Sequence, residues 1–205
     1  MSNTTMSVSD AIQARRATKH FDPDHEMSDA EFETPIQHAV LTPTAFNIQH
    51  WRFVRVTDKA LRQQIAKAAW DQPQVTDSSL LLVLTMDVQA WQKDPVRYWQ
   101  DAPQEAQDFI LPALQAYYLD KPQAQRDEAM RTGGLVAMNL MLMAQQMGYD
   151  SCPMDGFDFD QVGDLINLPE DHLVCMMLAI GKQTKDSWPR LARLPQSEVV
   201  IENRF

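Results

Sequence analysis

The chain has 205 residues, with 18 Lys and Arg against 28 Asp and Glu and a formal net charge of −10. That length buries the core of one ordinary domain, and a balance this acidic excludes the broad basic face that a nucleic acid or an anionic membrane requires. Cys152 and Cys175 show no CxxC spacing and read as free thiols of a reducing compartment; "MSNTTMSVSDAIQARR" lacks the apolar run and cleavage site of a leader, so the expected location is cytoplasmic.

Taken in chain order, Ser7 followed by Asp10 matches a capping box and predicts a helix from Ser7 to about Arg16. Arg15 and Arg16 complement the dipole at its C-terminal end, which leaves Lys19, beyond the helix, unexplained. "SDAE" at 28–31 opens a second helix to about Val40, which Pro35 is expected to kink or shorten. Trp51 to Thr57 alternates apolar residues with Arg52 and Arg55 and reads as a strand with one imperfect step. Asp58 caps a helix to about Trp70. Residues 79–87, "SLLLVLTMD", form an apolar run suited to a strand buried on both faces.

Residues 88–122 carry Trp91, Trp99, Phe109, Tyr117 and Tyr118 among prolines and acids, and are expected to be a variable flap of irregular helices. A helix from about Gln123 to Met147, ended by Gly148, is apolar nearly all round in its second half and should be central. Its apolar stretch, Gly133 to Ala144, is too short to cross a bilayer. Cys152 falls in a loop, Asp158 or Asp160 caps a further helix, Leu173 to Gly181 is a second buried strand, and "SEVVIEN" near the end is a short one. The class is α+β, a single domain over 1–205 with one sheet covered by helices.

The six glycines, at 133, 134, 148, 156, 163 and 181, build neither a GxGxxG turn nor a P-loop. The five histidines lack metal-ligand spacing, "DGFDFDQVGDL" lacks the turn glycine and terminal Glu of a calcium loop, and there is no nucleophile elbow. No metal is expected, and chemistry should come from a bound cofactor. Four unusual segments remain: "RRATK" (15–19), "TPTAFNIQHW" (42–51), "CPMDGF" (152–157) and "PRLARLP" (189–195). They supply Arg15, Arg16, Lys19, Asn47, Gln49, Arg190 and Arg193. Guanidinium forks suit phosphate oxygens, and amides suit the edge of a heteroaromatic ring. The competing reading is that these are solvated charges and turn residues.

The order "RRATKHF", "TPTAFNIQHWRF", "DQPQVTDSSLLLV", a central apolar helix ending in "MGY", "PMDGF", a strand ending in "IG", and "RLARLP" resembles the FMN-dependent nitroreductase family over essentially the whole chain. The resemblance implies an intertwined α+β homodimer with a central, mostly antiparallel sheet flanked by helices. It also implies two FMN molecules in the interface and NADH or NADPH as reductant. Hydride would pass through flavin N5 to electron-poor acceptors such as nitroaromatics, quinones or flavins in a ping-pong cycle. On matching positions, Arg15, Arg16 and Ala17 are similar to the first FMN-contacting turn. Lys19 lies near the flavin's N1/O2 edge, where a cation stabilises the anionic reduced ring, and is the catalytic candidate. Pro43, Thr44, Ala45 and Asn47 match the loop that the partner subunit lays over the flavin, and Gln74 a pyrimidine-edge contact. Pro153, Met154, Asp155 and Gly156 match the turn packing on the ring, and Arg193 a phosphate-binding arginine. Phe109, Tyr117 and Tyr118 are candidate substrate-stacking residues. The chain departs from the pattern at His50 (commonly proline), Leu191 (commonly basic) and Ala17 (commonly a hydroxyl), with Arg190 placed to compensate. The same FMN site could also serve enone reduction, dehalogenation or heterocycle oxidation, or belong to a flavin-binding protein without turnover.

Overall fold

The computed structural model describes residues 6–205; residues 1–5, the start of the stretch read for a leader, lie outside it. The apolar run becomes β2 (Leu80–Asp87), buried along its whole length. Leu80, Leu82, Leu84 and Met86 face one side, and Leu81 and Val83 the other. Side chains alternate across a strand, so one covered on both faces has no polar alternation to show. β1 (Trp51–Arg55) and β4 (His172–Gly181) pair with β2 antiparallel, and β3 (Asp150–Met154) pairs antiparallel with β4, in the order β1-β2-β4-β3.

One face is covered by α2 (Asp29–Ala39) and the long α6 (Pro122–Gln146), whose Ala129, Val136, Ala137, Leu140 and Ala144 pack on the Leu80–Met86 face. At Gly133 a Cβ would stand 2.4 Å from the Cys175 sulfur, so the helix lies this close only because the position has no side chain. The other face is covered by α3 (Lys59–Ala68), α4 (Gln74–Asp77) and α7 (Phe159–Leu165), through Ile65, Ala66, Val75 and Val162 against Leu81, Val83, Met177 and Ala179. Between β2 and α6, a 3-10 turn (Pro95–Tyr98) and α5 (Gln104–Tyr118) enclose a small core of Ile48, Ala90, Trp91, Leu114 and Tyr118.

Local signals account for most boundaries. α1 (Val8–Ala14) opens on the Ser7–Asp10 capping box and ends at Arg15, which takes extended backbone angles. α2 carries a second capping box, Ser28–Glu31, and continues past Pro35 to Ala39, so the proline neither ends nor shortens it. Asp158, not Asp160, caps α7. Two expectations are corrected. Cys152 sits on edge strand β3 rather than in a loop; "DSCPM" lacks the β-branched alternation that marks a strand, and Pro153 is tolerated because β3 is an edge. "SEVVIEN" is not a strand: Gln196–Val199 form one helical turn, α8, and the rest is exposed irregular chain. A strand exists only against a neighbour, and among the described residues none lies beside it. No helix among the described residues is long and apolar enough to cross a membrane.

Candidate active site

The sheet's β3 edge organises the basic segment. Thr18 N donates to Ser151 O at 3.0 Å, Ala17 bridges Ser151 in parallel, and Phe21 bridges Gln183 antiparallel, so residues 17–21 are laid along the end of the sheet. Thr18 is fully buried, its hydroxyl 2.9 Å from that of Ser187. Lys19 therefore projects beside Cys152, its Nζ donating to Sγ at 3.3 Å.

The arginines divide into two roles. Arg16 Nη1 donates to the carbonyls of Gln13 (2.5 Å), Ala14 (3.0 Å) and Arg15 (2.9 Å), and Arg190 Nη2 to those of Ile12 (2.9 Å) and Arg15 (3.0 Å). These two close the orphan carbonyls of the α1 end, so the end-complementation reading of Arg15 and Arg16 describes Arg16, with Arg190 in the place expected of Arg15. Arg15 is different: its Nε is buried with no partner. Partial burial, and then Arg190, Arg16 and Arg193, push its guanidinium below the ordinary arginine value. None of the four enters an ion pair among the described residues. Four clustered guanidiniums without a carboxylate are the chemistry of a site for a multiply charged anion.

Immediately beyond Cys152, Pro153 and Met154 end β3 and lead into Asp155 and Gly156. Gly156 O accepts from Gln72 Nε2 at 2.7 Å, and Gln72 Oε1 accepts from Gln74 Nε2 at 2.8 Å. Gln74, 1% exposed, is thus joined to the turn through Gln72. Sequence reasoning missed Gln72, because "DQPQV" offers two glutamines around one proline and no signal of which reaches the turn. A Cβ on Gly156 would stand 3.0 Å from the Trp70 indole, and Trp70 itself holds a left-handed φ of 56° with its ring largely exposed.

Arg15, Arg16, Lys19, Arg193 and residues 153–156 gather at this edge, with Gln74 linked to them. The 43–47 loop does not join them within one chain. Asn47 Nδ2 donates to Tyr98 O at 2.8 Å, Trp99 Nε1 donates to Phe46 O at 2.8 Å, and Phe46 packs on Tyr117 and Tyr118. Pro43, Thr44, Ala45 and Asn47 therefore lie on the stretch that supports the flap, where Phe46, Asn47 and Gln49 take left-handed angles. Of the flap aromatics, Phe109 and Tyr117 are exposed. Tyr118 is a correction: it is fully buried between Trp91, Phe46 and Tyr117, its hydroxyl unpartnered and its phenol pushed up by burial, so it is the flap's core and offers no stacking face. His50 is also buried, its Nδ1 unpartnered, and burial pulls it down to about 4 against the opposing pull of Asp87.

Asp87, Asp171 and His172 hold ligand-type atoms within 4.8 Å of one another. Lys93 Nζ already bridges the two carboxylates, at 2.9 Å from Asp87 Oδ2 and 2.5 Å from Asp171 Oδ2, so this is an ion-pair cluster rather than a cation site.

Known proteins resemble this chain over most of its length. The family model described as the nitroreductase family matches residues 12–182. Protein DrgA of Synechocystis is 49% identical over 182 residues, 89% of this chain and 87% of that one. MhqN of Bacillus subtilis, named as an NAD(P)H nitroreductase, is 32% identical over 92% of this chain and 95% of its own length. Among solved structures, a nitroreductase-like protein of Exiguobacterium sibiricum in complex with FMN superposes with a TM-score of 0.87 at 28% identity, covering 98% of this chain and 99% of that one. A structure-based match of this extent, and a family model spanning both the arginine turn and the 153–156 turn, lead to one assignment: the chain belongs to the nitroreductase family.

Proposed function

We propose that this chain is an FMN-dependent oxidoreductase that takes hydride from NADH or NADPH and delivers it to electron-poor acceptors such as nitroaromatics, quinones or flavins. The observation that carries the reading is the group of four arginines with no counter-anion, with the buried, unpartnered Nε of Arg15 at its centre. The FMN of the Exiguobacterium relative and the NAD(P)H in the Bacillus relative's name support it.

The residues present fit FMN: one arginine cluster for one phosphate, and no glycine-rich turn for the pyrophosphate of FAD. When bound, FMN supplies the hydride chemistry at its ring. Arg15 would hold the phosphate, joined by the N–H groups of Arg193 that its own bonds to the carbonyls of Leu191 and Ala192 leave over, while Arg16 and Arg190, committed to the α1 carbonyls, keep the field positive and offset the charge missing at Leu191. Ala17 contributes backbone alone, since the hydroxyl common there is absent. Lys19 holds a positive charge beside the ring's pyrimidine side, where it favours the anionic reduced form. Gln74, oriented through Gln72, presents an amide there, and Pro153, Met154, Asp155 and Gly156 pack on the ring. Reductant and acceptor occupy the same place in turn, the ping-pong order. The Pro43, Thr44, Ala45 and Asn47 loop and the exposed C-terminal tail act in a homodimer, each reaching a second copy's site. The domain spans 1–205, with the flap of about 88–122 selecting substrates through Phe109 and Tyr117. The free thiols Cys152 and Cys175 accord with the cytoplasm.

One experiment tests this. The purified protein is passed over a sizing column with light scattering and absorbance detection, and the peak is then mixed with NADH or NADPH, with and without a quinone. A yellow two-chain species that bleaches and is reoxidised by the quinone is the expected result. A yellow species that never bleaches contradicts turnover, and a colourless one that cannot be loaded with FMN contradicts the reading altogether.

A further inference from the structure

We infer that Cys152 is a positioning residue, whose thiol fixes the Lys19 ammonium against the turn at 153–156 so that its charge is presented to the bound flavin. This rests on the FMN reading above. The backbone around Lys19 is already pinned, by Thr18 to Ser151 and by Phe21 to Gln183, so the remaining freedom is that of the four-carbon stem. Its head has one hydrogen-bond partner among the described residues, Sγ of Cys152 at 3.3 Å, and no ion-pair partner. The thiol is fully buried on β3 and lies 3.6 Å from Pro153 O, in position to aim its S–H at that carbonyl and its lone pairs at Lys19. One side chain thus ties the ammonium to the first residue of the turn.

The choice of atom has a physical logic. A carboxylate at this position would hold the ammonium and neutralise it. An aliphatic side chain would leave the ammonium to water. A neutral thiol is a weak acceptor that orients the cation without cancelling its charge. Burial raises the Cys152 thiol above its ordinary value, ahead of the opposing pull of Lys19 and Arg15, so it remains neutral at neutral pH.

The test is a double-mutant cycle on the reduction potential of the FMN-loaded protein. Cys152→Val removes the acceptor and leaves a slightly larger apolar side chain on the strand; Cys152→Ser restores an acceptor. In Cys152→Val the equilibrium constant for two-electron reduction should fall about threefold to tenfold, at most about 30 mV at 29.6 mV per decade, with FMN affinity changed less than twofold. Cys152→Ser should recover most of the loss. Cys152→Val should add nothing once Lys19→Met is present. A residue that only packs β3 would alter melting temperature but not potential, or would act additively with Lys19→Met, and either result overturns the inference. A flavin-free readout accompanies it: the pH titration of the Cys152 Cβ carbon NMR signal should move to higher pH in Lys19→Met, because the ammonium lowers the thiol pKa, and coincident titrations overturn the pairing. A wild-type protein that takes up no FMN sinks the proposed function and this inference together. Normal uptake with additive shifts sinks the inference alone.

Discussion

Replacing Arg15 by Gln separates a ligand-binding arginine from a structural one by the sign of two effects. Its Nε is buried and unpartnered, and its charged neighbours Arg16, Arg190 and Arg193 all repel it. In the flavin-free protein Gln removes a repelled, partly desolvated charge while keeping most of the stem, so the melting temperature should hold or rise, with a weaker stabilisation by salt than in the wild type. On the proposed function the same substitution in the flavin-bound protein would remove a charge-assisted hydrogen bond to phosphate, about 1.5 to 3 kcal/mol, or roughly tenfold to 150-fold in FMN affinity at about 1.4 kcal/mol per decade. Flavin fluorescence titration and calorimetric melting read the two quantities, with Arg204→Gln in the exposed tail as the control. A flavin-free melting temperature that falls, with an FMN affinity inside twofold of wild type, would refute the reasoning and return Arg15 to the role of Arg16, closing a helix end.

His50 is held neutral inside the protein at about 4, against 6.5 for the free side chain, so its contribution is fully present above pH 6.5 and lost as pH falls through about 4. That gap corresponds to about 3 kcal/mol at most; urea midpoints taken between pH 7.5 and pH 4 should fall less steeply in His50→Leu than in wild type, and parallel curves would contradict the assignment. Gly133→Ala places a Cβ 2.4 Å from the Cys175 sulfur. Overpacking of this kind costs about 1 to 3 kcal/mol and about 2 to 4 °C of melting temperature per kcal/mol at this size, and Cys175→Ala in the same chain should return part of it. Additive losses would show that the contact is not the cause.

Much of the fold was legible because the relevant physics is local. Ser7–Asp10 and Ser28–Glu31 are reciprocal caps within four residues, and β2 and β4 are apolar runs of a length only a two-sided strand explains. What escaped depends on neighbours. β3 is defined by its ladder to β4 and not by its own composition, and "SEVVIEN" has strand-like residues without a ladder in its own chain. The site divides the same way. Arginines announce an anion, yet which of them serve a helix end and which remain free is decided by carbonyl positions in space, as Arg16 and Arg15 show. Gln72 and Cys152 were invisible as site residues because a glutamine and a cysteine signal nothing until Gly156 O and Lys19 Nζ are seen beside them.

The segment between β2 and α6 is stapled at its roots. Lys93 joins Asp87 to Asp171, Gln89 Nε2 donates to Gln125 Oε1 at 3.1 Å, and Gln125 Nε2 donates to Tyr118 O at 2.9 Å, so the departing and returning chains are cross-linked where they leave the sheet. Everything between these staples packs on itself and on the 46–48 stretch, around Ile48, Trp91, Leu114 and Tyr118. Such an insert behaves as an exchangeable cassette. Its outer surface, with the exposed Phe109 and Tyr117, can be rewritten by mutation without disturbing the sheet beneath, and on the proposed function such changes would alter acceptor preference.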